Sequence, residues 1–179
     1  MTALAGPASA ADVTTQFTDG QTGFCLDSNY SDPAYPAVGA VYTDPCNGGA
    51  YQKWGITYGS GVVTLTDQQT GLCLDSNYSN PAYPAVGAVY TDACNGGAYQ
   101  DWHVGTSSNG TIWFLQDAQT GLVLDSNYSN PAYPAVGAVY TDSCNGGSYQ
   151  QWAYPAGWGF TLATPGWPPW MSMPTVCPA

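Results

Sequence analysis

One stretch of 33 residues, TGFCLDSNYSDPAYPAVGAVYTDPCNGGAYQKW, runs from Thr22 to Trp54 and returns at Thr70–Trp102 and Thr120–Trp152. Only six of its positions vary: Phe24/Leu72/Leu122, Cys25/Cys73/Val123, Asp32/Asn80/Asn130, Pro45/Ala93/Ser143, Ala50/Ala98/Ser148 and Lys53/Asp101/Gln151. The connectors between copies, GITYGSGVVTLTDQQ and HVGTSSNGTIWFLQDAQ, differ far more. Copies that stay alike while their connectors drift point to one task performed three times. Repeats spaced 48 and then 50 residues apart restrict the fold to units that bury their apolar faces against one another.

Each unit reads as four short strands. The phrases FTD (Phe17–Asp19), LTD (Leu65–Asp67) and LQD (Leu115–Asp117) each run towards a Thr-Gly turn, with Phe17, Leu65 and Leu115 facing inward. In the first unit a second strand passes through Cys25-Leu26-Asp27, a third covers Ala40–Thr43, and a fourth opens at Gln52 and continues through Ile56. Alternation places Trp54 and Ile56 on one face, a pattern repeated by Trp102/Val104 and Trp152/Tyr154. Helix formers are scarce: there is one Lys, Lys53, and no Glu or Arg. Three units are too few for an ordinary propeller, and no leucine-rich, ankyrin or tetratricopeptide signature is present. The expectation is an all-β chain, a β-trefoil of three pseudo-threefold repeats (about 11–58, 59–106 and 107–155) in a domain spanning 11–155. The aromatic, Pro-rich tail, 156–179, holds Trp158, Phe160, Trp167 and Trp170. It is expected to pack on the trefoil, with an aromatic dimer contact as the other reading.

Twelve Asp against one Lys leave a net charge of −11, which repels phosphate backbones and anionic headgroups. Nucleic acid is therefore not an expected partner, and no apolar run is long enough for membrane insertion. Residues 1–10 end in Ala8-Ser9-Ala10, the small-x-small form of a signal-peptidase site. They read as a signal-peptide remnant, or else as an Ala-rich start, and the first reading implies a secreted protein.

Six cysteines also suit an oxidising compartment. Cys25 and Cys46 stand 21 apart, as do Cys73 and Cys94, so each pair can staple its own repeat. Val123 replaces the first cysteine of the third copy, leaving Cys144 and Cys177 to pair and tie down the tail. No CxxC pair exists and there is a single His103, so no metal and no cofactor are expected.

With GxCLD, CNGG and QxW in this order, three times in register, the chain resembles the ricin-B-type lectin family over residues 13–155. LDSNY, VYT and CNGGAYQKW are most similar to its high-mannose-binding actinomycete members. The resemblance implies carbohydrate binding at Asp27, Tyr42, Asn47 and Tyr51 in the first copy. The second site would comprise Asp75, Tyr90, Asn95 and Tyr99, and the third Asp125, Tyr140, Asn145 and Tyr149. It further implies that Gln52, Gln100 and Gln150 hold the aspartates, and that Trp54, Trp102 and Trp152 belong to the core. Galactose-binding members typically carry an Asn immediately before that Gln. Tyr51, Tyr99 and Tyr149 occupy the position here, which favours mannose. Two features depart from the mannose-binding pattern. The loop from Ser31 to Ala40 and its copies are longer, and Asp44, Asp92 and Asp142 replace an apolar Leu.

Residue chemistry agrees with such a ligand. A carboxylate bridges vicinal hydroxyls, an amide supplies donors and an acceptor, and phenol rings cover sugar C–H faces. Blander roles compete: Asp27 as a turn cap, Tyr42 and Tyr51 as ordinary strand residues. DSNYSD lacks the Gly and Glu of a calcium loop. Three open copies of one centre without a Glu suit binding better than glycoside hydrolysis, and His103 alone cannot furnish three hydrolase triads. A trefoil protease inhibitor would need only one reactive loop. The sequence thus reads as a non-enzymatic, multivalent lectin, expected to be a monomer with mannose-containing, branched or clustered glycans as partners. The alternative is a galactose- or xylan-binding trefoil module serving a separate glycoside hydrolase.

Overall fold

A computed structural model describes residues 13–28, 41–76, 89–106, 112–126, 137 and 139–153. The leader, the long inserts up to Gly137 and the aromatic tail, with the expectations attached to them, lie outside the described residues.

The first repeat supplies β1 (Val13–Thr15), β2 (Thr18–Asp19), β3 (Cys25–Asp27), β4 (Tyr42–Asp44) and β5 (Trp54–Gly59). The second supplies β6 (Val62–Asp67), β7 (Cys73–Asp75), β8 (Tyr90–Asp92) and β9 (Trp102–Thr106). The third supplies β10 (Ile112–Asp117), β11 (Val123–Asp125), β12 (Tyr140–Asp142) and β13 (Trp152–Ala153). Antiparallel pairing runs β1-β5-β6-β9-β10-β13-β2. Because β1 and β2 are two halves of one strand, this order closes into a barrel without an open edge. Three hairpins, β3–β4, β7–β8 and β11–β12, hang from β2, β6 and β10. This is the all-β trefoil expected from the repeats.

Two local expectations change. The first strand of the first repeat is broken between Thr15 and Thr18: β1 pairs with β5 while β2 pairs with β13, so each half serves a different neighbour. Phe17 at the break stays fully buried, and its carbonyl takes the Leu26 N–H at 2.9 Å. Gln52 does not open the fourth strand. It ends a 3₁₀ turn, Ala50–Gln52, closed by its N–H on the Gly49 carbonyl at 3.1 Å, and β5 begins at Trp54. The β5–β6 hairpin turns on Ser60 and Gly61, both at positive φ (51° and 87°), the two-residue geometry that matches strand twist.

Repetition builds one core from equivalent positions of the three copies. Phe17, Leu65 and Leu115 form one set, Leu26, Leu74 and Leu124 another, and Val41, Val89 and Val139 a third. Trp54, Trp102 and Trp152 are each completely buried. Their indole N–H groups donate to the carbonyls of Leu26, Leu74 and Leu124 at 3.0, 3.2 and 3.1 Å. A buried indole needs such a partner. These bonds pin the second strand of each repeat, one residue before the site aspartate, to the last.

Candidate functional site

In the first repeat the site residues sit on the β3–β4 hairpin and the loop that follows it. Asp27 lies directly opposite Tyr42, Leu26 opposite Thr43 and Cys25 opposite Asp44. The Cys25–Cys46 disulfide, with Cα atoms 5.0 Å apart, fastens the start of the CNGG loop to β3, and Cys73–Cys94 does the same at 5.1 Å. Cys144 is also disulfide-bonded; Cys177, its expected partner, lies outside the described residues.

Gln52 links the pieces. Its amide Nε2 donates to Asp27 Oδ2 at 2.9 Å and to the Pro45 carbonyl at 3.1 Å, while Oε1 accepts the Asn47 backbone N–H at 2.8 Å. Gln100 repeats this with Asp75, Ala93 and Asn95 at 2.8, 3.0 and 2.9 Å. Gln150 bonds Ser143 and Asn145, both at 2.9 Å. The neighbouring tyrosine is located by its backbone: Ser28 N–H donates to the Tyr51 carbonyl at 3.1 Å, as Ser76 does to Tyr99 and Ser126 to Tyr149. In the first two repeats one buried amide side chain therefore sets the carboxylate against the Asn loop.

The four site residues differ in access. Asp27, Asp75 and Asp125 are buried, at 1–2 % exposure, and Tyr42, Tyr90 and Tyr140 are each 2 % exposed. Asn47, Asn95 and Asn145 are exposed, and Tyr51, Tyr99 and Tyr149 half-buried. In each candidate set the Asn and the second Tyr are the members open to solvent, while the carboxylate and the first Tyr are closed off from it.

The Asn side chain is partly committed. Asn47 Oδ1 accepts the Gly49 N–H at 2.7 Å, and Asn95 and Asn145 do the same with Gly97 and Gly147. Local bonds of this kind shape a turn, so the amide NH₂ is the group left to face a ligand. A Cβ at Gly49 would stand 2.8 Å from that Oδ1, which accounts for the second Gly of CNGG.

Sequence reasoning missed a second set of carboxylates. Asp19 Oδ1 accepts the Thr22 N–H and hydroxyl at 2.6 and 2.7 Å, and Asp67 and Asp117 do likewise with Thr70 and Thr120. The D-x-x-T-G spacing before each hairpin was the available signal. The other carboxylate oxygen works between repeats: Ser76 Oγ donates to Asp117 Oδ2 at 2.7 Å, and Ser126 Oγ to Asp19 Oδ2 at 2.5 Å. Each of these serines directly follows a site aspartate. At the equivalent third position, Ser28 Oγ and Asp67 Oδ2 are buried without a hydrogen-bond partner.

The ricin-type β-trefoil lectin domain matches this chain over residues 13–152, more than three quarters of its length. The chain belongs to that lectin family. Solved structures share the family's fold. A designed threefold-symmetric protein, ThreeFoil, is 26 % identical with a TM-score of 0.63, covering 79 % of this chain and 96 % of its own. The Macrolepiota procera ricin B-like lectin, solved with lactose, is 17 % identical at a TM-score of 0.63, with 83 % and 98 % covered. An exo-β-1,3-galactanase from Clostridium thermocellum is 19 % identical at 0.64, covering 83 % of this lectin-family chain but 30 % of the galactanase.

Among the described residues, no group of three His, Cys, Asp or Glu side chains could hold a metal ion, and no helix is long and apolar enough to cross a membrane. Asp101, which replaces Lys53 in the second copy, has its carboxyl pushed above the ordinary carboxylate range. Burial is the main cause, opposed by the Thr64 hydroxyl and His103 and assisted by Asp117.

Proposed function

We propose that this chain is an exported, monomeric, non-enzymatic lectin that binds α-mannosides of high-mannose type at three equivalent sites. The observation that carries the reading is the threefold arrangement in which Gln52, Gln100 and Gln150 organise the Asn loop beside a site aspartate. Asp27, Asn47 and Tyr51 contribute a carboxylate, amide donors and a ring face in the first site. Tyr42, buried directly opposite Asp27, backs the carboxylate from within the hairpin. The other two sites use Asp75, Tyr90, Asn95 and Tyr99, and Asp125, Tyr140, Asn145 and Tyr149. Two features support mannose: the likeness to actinohivin, a high-mannose-binding actinomycete lectin, and Tyr in place of Asn before each Gln. The disulfides support export.

A neutral sugar needs no cation from the protein, which suits a chain of net charge −11. Three weak sites engaged together can raise avidity by roughly 10²–10⁴ over one. Branched or clustered glycans are the favoured ligands on that ground.

The structural likeness to a lectin solved with lactose and to a galactanase supports a second reading. In that reading the trefoil binds galactose- or xylose-containing polysaccharide on behalf of a separate hydrolase. A glycan array probed with and without free methyl α-mannoside separates the two. High-mannose signals abolished by the competitor uphold the first reading; retention on galactosides or xylan, indifferent to it, moves the assignment to the second.

A further inference from the structure

Gly137 of the third repeat and Thr43 of the first lie 94 residues apart and are hydrogen-bonded. The Thr43 N–H donates to the Gly137 carbonyl at 2.7 Å, and its hydroxyl approaches the same oxygen at 3.4 Å. Thr43 stands in β4 between Tyr42 and Asp44, and β4 is the last strand on its path, paired among the described strands with β3 alone. An edge strand of three residues exposes backbone donors on its outer side and is marginal unless something meets them. Gly137 meets this one. It is buried, at φ +76°, and a Cβ there would stand 2.5 Å from the Thr43 carbonyl oxygen and 3.0 Å from its Oγ1. Both the backbone conformation and the space demand glycine.

We propose that Gly137 is a positioning residue for the first carbohydrate site, which is therefore composite: its side chains come from repeat one and the support of its outer strand from repeat three. The proposal rests on the reading of Asp27, Tyr42, Asn47 and Tyr51 as a binding site. The third repeat's PAYPAVG segment thus ends on another repeat's binding strand, three residues before the tyrosine, Tyr140, of its own site. Gly39 with Thr91 and Gly87 with Thr141 stand at the corresponding sequence positions; those two glycines lie outside the described residues.

The test compares two single-site reporters of the full chain by NMR titration with methyl α-mannoside. Tyr99→Ala with Tyr149→Ala leaves the first site, and Tyr51→Ala with Tyr149→Ala leaves the second, to which Gly137 contributes nothing. Adding Gly137→Val is expected to weaken the first-site reporter roughly tenfold, the scale of one lost backbone hydrogen bond and its orphaned partner, and to leave the second-site reporter near its parent. Equal weakening of both, or none in the first, overturns the proposal. Should the valine variant fail to fold, Thr43 amide exchange in the two reporters without it decides. Slowing on sugar addition in the first-site reporter alone supports the support-strand role, and unchanged exchange overturns it. Parent reporters that bind neither this sugar nor any arrayed glycan would instead sink the lectin reading. Fast Thr43 exchange in the unliganded wild type would then separately remove the clasp.

Discussion

Gln100 donates to Asp75 Oδ2 at 2.8 Å while its own side-chain carbonyl takes the Asn95 N–H at 2.9 Å, so one buried side chain holds both polar halves of the proposed second site. Replacing Gln100 with Leu removes its bonds to Asp75 Oδ2, the Ala93 carbonyl and the Asn95 N–H together. The expected loss is about 1–3 kcal/mol of stability together with loss of sugar binding at that site alone. Denaturant unfolding and titration of a single-site reporter check the two effects.

The serine that follows each site aspartate offers an internal comparison. Ser76→Ala and Ser126→Ala each strip a buried Asp oxygen of its serine partner and should cost about 1–3 kcal/mol. Ser28→Ala removes a hydroxyl that has no partner, so its cost should be visibly smaller. Urea midpoints of the three variants decide, and equal losses would mean that Ser28 and Asp67 are joined in solution.

Asp101 gives a pH dependence of defined sign. Its carboxyl is raised in the folded protein, chiefly by burial, so the unfolded chain ionises first as pH increases. Stability from this group is therefore full below the ordinary carboxylate pKa and falls as pH rises towards the folded value. Asp101→Asn should melt at a higher temperature than wild type at about pH 7, with the difference gone near about pH 3. Paired thermal melts at the two pH values are the measurement, and a gain that persists in acid would contradict it.

Avidity and affinity should separate. Asp75→Ala is expected to leave monosaccharide binding at the two remaining sites unchanged while sharply reducing retention on a branched glycan surface. Calorimetry with methyl α-mannoside and surface binding to immobilised branched glycan supply the two numbers, and parallel losses would argue against three cooperating sites.

Much of this molecule is written in local spacing. Period-two alternation placed Trp54 and Ile56, and Trp102 and Val104, in the core. Equal separations paired Cys25 with Cys46 and Cys73 with Cys94, and the repeat period required a threefold body. The Asp-Gln-Asn constellation came from the resemblance to the lectin family, whose motifs recur in register in all three copies.

What the tertiary structure alone decided is access and partnership between copies. Tyr42, which the lectin resemblance implies as a binding residue, is buried, and the Asn47 side-chain carbonyl is spent on its own turn. Ser126 reaches Asp19 and Gly137 reaches Thr43 across the barrel closure. Three nearly identical copies contain no local signal of which one touches which. That choice belongs to chain closure, where β2 and β13 come together and bring residues from opposite ends of the sequence within hydrogen-bond distance.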